Sequence, residues 1–187
     1  MILRRLAVLV ALAVGATASG CASGAGADRS EPSPTVVYVV RHAEKAATPA
    51  DDPPLSAEGA ARAAALADLL ADAGVRHVYS SQFRRTRDTA APLADRLGRE
   101  VTVLPITGPD VAAALRAQAR QIVTEAEGAA ALVVGHSNTV PIMIAEWTGE
   151  PMADLDEGAY GDLFVVTLQA DGTARLERRR YGSLPVE

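Results

Sequence analysis

Two Val-rich runs, Thr35 to Val40 and Ala130 to Val134, each lead directly into a polar pair containing histidine, Arg41-His42 after the first and Gly135-His136 after the second. An apolar, β-branched run without alternation is the pattern of a strand buried on both faces, and such strands belong to parallel sheets sandwiched between helices. In open sheets of this kind ligands bind beyond the carboxyl ends of the strands. Two of the three histidines therefore leave buried strands where such folds place chemistry.

The intervening sequence agrees with that reading. A loop from Ala46 to Leu55 holds Pro49, Asp51, Asp52, Pro53 and Pro54; Ser56 is an N-cap for an Ala/Leu-rich helix to about Ala73, with Gly74 as its stop. Val75 to Tyr79 reads as a second strand, and Ser80-Ser81 opens a helix from about Phe83 to Leu97 that Gly98 ends and Pro92 kinks or divides. Val101 to Leu104 is a third strand, Asp110 to Glu127 a third helix, Ala130 to Val134 the fourth strand, and Asn138 to Trp147 a fourth helix stopped by Gly149. This alternation predicts an α/β three-layer sandwich, a mostly parallel sheet with helices on both faces. The ending departs from it: Leu163 to Gln169 and Ala174 to Tyr181 flank Asp171-Gly172, the signature of an antiparallel hairpin at the sheet edge.

At the N-terminus, Arg4 and Arg5 precede an apolar run of 13 residues, Leu6 to Ala18, and then small residues up to Cys21. A bilayer-spanning helix needs about 20 residues, so residues 1–20 read as a removable export signal. Ala18-Ser19-Gly20-Cys21 resembles the lipobox of bacterial lipoproteins, which implies lipid attachment at Cys21, the only cysteine; Ala18 stands where lipoboxes carry a larger aliphatic residue, and ordinary cleavage is the alternative. Residues 21–34, rich in Gly, Ala, Ser and Pro, read as a flexible tether, and residues 35–187 suit one domain. A single cysteine excludes an intrachain disulfide and a cysteine-based zinc site.

The chain carries 18 basic and 23 acidic residues for a net charge of −5, and residues 1–20 hold two of the basic ones and no acid, so the remainder carries −7. That balance argues against non-specific nucleic-acid binding. An anionic ligand must be held by a local cluster of positive groups.

The segment Arg41-His42-Ala43-Glu44-Lys45 resembles the Arg-His-Gly motif of the histidine phosphatase superfamily, the phosphoglycerate mutase-like fold, with Ala43 in place of glycine. Tyr79-Ser80-Ser81-Gln82-Phe83-Arg84-Arg85-Thr86-Arg87-Asp88-Thr89-Ala90 resembles the Ser-x-x-x-Arg-x-x-x-Thr-Ala block of that family, and Gly135-His136 its second histidine. The resemblance implies that His42 is a covalent nucleophile and that Arg41, Arg85 and His136 bind the phosphate. It further implies a phosphohistidine intermediate hydrolysed by water, a small phosphorylated substrate, and no metal or cofactor. Elementary chemistry points the same way. Phosphoryl transfer depends on positioning and on fixed positive charge, which forked arginines supply, and a histidine is nucleophilic when one ring nitrogen is bare and the other donates to a carbonyl.

The family usually supplies a general acid, and here its identity is open. Asp110 is the only carboxylate from Val101 to Gln121 and also an obvious N-cap; Glu44 is the other candidate. His77, at the start of a strand, reads as structural, Arg84 and Arg87 as a solvated helix face with Asp88 pairing Arg84, and Lys45, the only lysine, as either a surface residue or part of the local field. Gly135-His136-Ser137-Asn138-Thr139 nearly matches the nucleophile elbow of α/β-hydrolases, but Thr139 breaks the pattern and no histidine follows His136 to serve Ser137. The expected function is a phosphomonoester phosphatase, exported and attached to a membrane only through Cys21. A non-catalytic phosphate-binding or partner-binding domain, and less favourably a phosphomutase, are the alternatives.

Overall fold

The computed structural model describes residues 33–182; the expected signal, Cys21 and the expected tether up to residue 32 lie outside them. Six strands form one sheet in the order β3-β2-β4-β1-β5-β6. The strands are β1 (Thr35–Arg41), β2 (Val75–Ser80), β3 (Val101–Val103), β4 (Ala130–Gly135), β5 (Asp162–Leu168) and β6 (Ala174–Arg180). β1, β2, β3 and β4 pair in parallel, whereas β5 pairs antiparallel with both β1 and β6. The terminal hairpin is at the edge, as its Asp-Gly turn predicts.

Four helices cover the sheet: α1 (Ala57–Leu70), α2 (Arg84–Leu97), α3 (Val111–Glu125) and α4 (Val140–Thr148). One apolar layer joins Val37, Val39, Val133 and Phe164 of the sheet to Leu115, Ile122 and Ile144 of α3 and α4. The other joins Val40, Val78, Leu132 and Leu163 to Leu66, Leu70 and Leu93 of α1 and α2. The consecutive residues Val39 and Val40 point to opposite faces and are both fully buried, which is why β1 shows no polar alternation. Each such side chain contributes about 1.5–3 kcal/mol on burial.

The helix boundaries refine the sequence expectations. Ser56 caps α1 by accepting from the Gly59 amide, and α1 ends at Leu70, short of Ala73. Pro92 lies inside α2 without dividing it. α4 begins at Val140 and not at Asn138, because the Thr139 hydroxyl accepts from the His136 amide and holds residues 136–139 in a turn. α2 has no side-chain cap of its own; Asp52, from the proline-rich loop, accepts from the Arg84 amide at 2.8 Å.

In the parallel register Arg41 faces Gly135 and Ser80 faces Val134. The three central strands therefore end level, and deliver Arg41-His42, Ser80-Ser81 and Gly135-His136 to one edge.

Candidate active site

At that edge a pocket of about 400 Å³ is lined by Arg41, His42, Lys45, Phe83, Arg85, Ile106, Val111, His136, Ser137, Asn138, Thr139 and Glu157. His42 and His136 lie 5.3 Å apart between ring centroids, edge to face. Arg85 Nη2 approaches His136 Nδ1 at 3.5 Å, and its guanidinium lies over the Phe83 ring at 4.5 Å. The structure thus brings His42, Arg41, Arg85 and His136 together around one cavity.

The loop that carries His42 is held from three sides. Its Nδ1 lies 2.8 Å from the Ala43 carbonyl, which can only accept, so Nδ1 carries the proton and Nε2 keeps a free lone pair. The Ala43 amide donates to Thr89 Oγ1 at 3.0 Å, and that hydroxyl donates to the Arg85 carbonyl at 2.7 Å, tying the loop to α2. On the third side, the Ser56 amide donates to the Glu44 carbonyl, and Gly59 packs so closely on it that a Cβ there would collide with the Glu44 carbonyl oxygen. Gly135 is needed for a similar reason, since a Cβ would come within 2.9 Å of Thr139 Oγ1.

The electrostatics favour an anion. Burial pushes the His42 pKa down to about 4, Arg85, Arg41 and Lys45 pushing in the same direction against the Ala43 hydrogen bond. Burial pushes His136 down to about 3, reinforced by His42, Arg85 and Arg41. Arg85 is lowered from its ordinary value by burial and by Arg41. Both imidazoles are neutral at pH 7, and an incoming anion meets an excess of positive charge.

One expectation needs correction, Asp110 takes the N-cap of its two readings, and one residue needs refinement. Glu44 is no candidate acid: Arg62 donates to both its carboxylate oxygens at 2.6–2.9 Å, holding it below the usual carboxylate range, and the same guanidinium reaches the Tyr181 and Gly182 carbonyls. Asp110 does not line the pocket; its Oδ1 accepts from the Ala113 amide at 2.9 Å and caps α3. Arg41 lines the pocket, but its fork turns away, with Nη1 donating to the Asp156 and Glu157 carbonyls and Nη2 reaching the Glu157 carboxylate at 3.4 Å. The guanidinium also stacks on Tyr160 at 4.3 Å, while its buried Nε has no acceptor among the described residues. As expected, Arg84 pairs with Asp88, and His77 stacks on Tyr79 away from the pocket.

Several contributors were invisible to pattern reading. Glu157 and Tyr160 arrive on an irregular loop before β5 that carries no motif. Ser81 and Thr86 stand inside the recognised block, and their hydroxyl chemistry is the signal that was available: Ser81 Oγ lies 2.8 Å from both His136 Nε2 and Thr86 Oγ1.

The family model of the histidine phosphatase superfamily (branch 1) matches residues 37–106. A Mycobacterium tuberculosis protein of uncharacterized function, Rv0525, is 42% identical over 76 residues, and the match spans 35% of this chain and 35% of that relative. Among solved structures, the protein histidine phosphatase SixA, complexed with tungstate, aligns with a TM-score of 0.62 at 25% identity, covering 79% of this chain and 97% of that one. The mycobacterial glucosyl-3-phosphoglycerate phosphatase Rv2419c aligns with a TM-score of 0.62 at 17% identity, over 80% of this chain and 99% of that one. A complex of the same phosphatase with inorganic phosphate aligns with a TM-score of 0.61 at 18% identity, over 79% of this chain and 97% of that one. The fold is that of histidine phosphatases, and the family match together with the neighbouring phosphatases supports activity of the phosphatase type.

Proposed function

We propose that this protein hydrolyses phosphomonoesters through a phosphohistidine formed on His42, without a metal. The observation that carries the reading is the hydrogen bond from His42 Nδ1 to the Ala43 carbonyl, which leaves Nε2 bare beside Arg85 and His136. Nε2 attacks phosphorus, the ester oxygen leaves with the bonding pair, and water later displaces His42 from the phosphoryl group. Arg85 offsets charge on the equatorial oxygens, a contribution comparable with an oxyanion donor at about 2.7–4 kcal/mol.

The substrate side follows from the carboxylates. Glu44 is occupied by Arg62, Asp110 by its helix, and Glu157 faces Arg41 with its side chain 94% exposed. With neither Glu44 nor Asp110 free to protonate a leaving group, phosphates with good leaving groups are favoured. The pocket rim of Phe83, Ile106 and Val111 suits an apolar or aromatic group beside the phosphate.

The test is hydrolysis of nitrophenyl phosphate with and without chelator, followed by trapping of an acid-labile, base-stable phosphoprotein that disappears in His42→Ala. A protein that binds phosphate but yields neither product nor phosphoprotein is the non-catalytic binding domain, a reading favoured by the engagement of the Arg41 fork by the 156–157 segment. Export and lipid attachment at Cys21 are part of the proposal and rest on residues 4–21. Fatty-acid labelling in cells, lost in Cys21→Ser, tests them.

A further inference from the structure

His136 is held in one tautomer by a chain of hydroxyls. The Thr86 hydroxyl lies 2.8 Å from the Phe83 carbonyl and 3.2 Å from the Ser81 carbonyl, and both can only accept. Thr86 has one proton and spends it there. The 2.8 Å contact between Ser81 Oγ and Thr86 Oγ1 then requires Ser81 to donate. Ser81 in turn has no proton left for the imidazole, so its 2.8 Å contact with His136 Nε2 requires that nitrogen to donate. Reversing the chain would leave Thr86 Oγ1 facing the Phe83 carbonyl with no proton between them. Ser81 and Thr86 are buried, so water cannot repair the mismatch. A second observation agrees independently: Arg85 Nη2 can only donate, and it points at His136 Nδ1.

We infer that Ser81 is a positioning residue that acts through His136, and that the site therefore takes up its phosphate together with one proton. A neutral His136 with hydrogen on Nε2 turns a lone pair, not an N–H, toward the phosphate. Phosphate dianion oxygens carry only lone pairs, so a hydrogen bond to Nδ1 needs an additional proton. The monoanion brings that proton on an oxygen; the dianion acquires it from solvent. Either way the sum is the same, one proton shared between a phosphate oxygen and Nδ1. The groups surrounding the ring are His42 and Arg41 at the end of β1, Lys45 after them, Arg85 on α2 and Glu157 before β5. Their balance is positive, which keeps the free imidazole neutral, in line with its lowered pKa. His42 does not take this proton if it is to attack, since Nε2 is the nucleophilic atom. This inference rests on the phosphatase reading of the site.

Two measurements on the full chain test it. In nitrogen-15 histidine spectra at pH 7.5 without ligand, His136 should show a protonated Nε2 and a bare Nδ1, opposite to His42; a protonated Nδ1 on His136 overturns the inference. Calorimetric titration with inorganic phosphate in buffers of different ionisation heat should show one proton taken up per dianion. The affinity should fall about tenfold per pH unit above the second phosphate ionisation, near roughly pH 6 to 7. Ser81→Ala frees His136 to present an N–H from Nδ1, so the pH dependence should flatten, whereas Ser81→Thr keeps the hydroxyl and should restore it. Phosphate affinity that is independent of pH in the native protein, or a slope unaltered in Ser81→Ala, overturns the proposal. Absence of phosphate binding altogether instead removes the phosphatase reading, and the ligand-free spectra still decide the tautomer.

Discussion

His42 and His136 leave neighbouring parallel strands at matching register, Arg41 opposite Gly135, and their rings meet over one pocket with both pKa values pushed far down. They are nevertheless locked by different means. His42 is fixed by a main-chain carbonyl and His136 by a side-chain hydroxyl, so opposite ring nitrogens carry the proton. The bond that fixes the His42 ring is main-chain, whereas a substitution at Ser81 removes the partner of the His136 ring directly. On the proposed function the difference suits their separate tasks, attack for His42 and phosphate binding for His136.

The largest effect should come from removing the atom that only one of them uses. His42→Ala is expected to lose on the order of 10⁴-fold or more in kcat on nitrophenyl phosphate, as loss of a covalent nucleophile does. Circular dichroism should remain native, because His42 stands on the loop beyond β1 and both apolar layers are built from other residues. If His136→Ala lost as much and His42→Ala retained turnover, the assignment of tasks would be reversed.

Arg85 serves both rings, and Arg85→Ala should cost about 10²- to 10³-fold in kcat/KM, measured on the same substrate.

The shared depression of the two imidazoles has its own signature. Unfolded histidine takes a proton near 6.5, but folded His42 and His136 resist until about 4 and about 3. Between those values the unfolded chain binds more protons, so stability is full above pH 6.5 and falls as pH falls through this window. At about 1.4 kcal/mol per pK unit, the loss at pH 4.5, two units below 6.5, is on the order of 3 kcal/mol for each histidine. Denaturant melts at pH 7.5 and 4.5 should show it, and His136→Ala should remove part of the difference.

Glu44→Gln should lower stability by about 3 kcal/mol, by leaving Arg62 without its partner, and leave the preference between alkyl and aryl phosphates unchanged. Thermal melts and paired kinetics check both halves. The smallest effect belongs to Asp110→Asn: Asn caps a helix as well as Asp does, so melting temperature and both rates should stay within error. A selective loss on alkyl phosphates would restore Asp110 as a proton donor.

The Val-rich runs, the Asp-Gly turn and the short motifs suffice to read off the α/β sandwich, the edge hairpin and the approach of Arg41, His42, Arg85 and His136 to one pocket, but not Phe83, Ile106, Val111 or Glu157, which line it with them. Unalternating Val runs require two-sided burial, and the end of such a strand has one place to go. Asp110 was also legible, since capping is a local bond between Asp110 and Ala113. How those residues are engaged depends on contacts that exist only in the folded chain. Glu44 meets Arg62 across 18 positions, Arg41 is drawn to carbonyls 115 and 116 positions away, and Ser81 reaches His136 across 55. No periodicity encodes such contacts. They follow from the direction of individual donors and acceptors once the sheet has closed, and those directions decide which ring nitrogen is bare and which carboxylate is free.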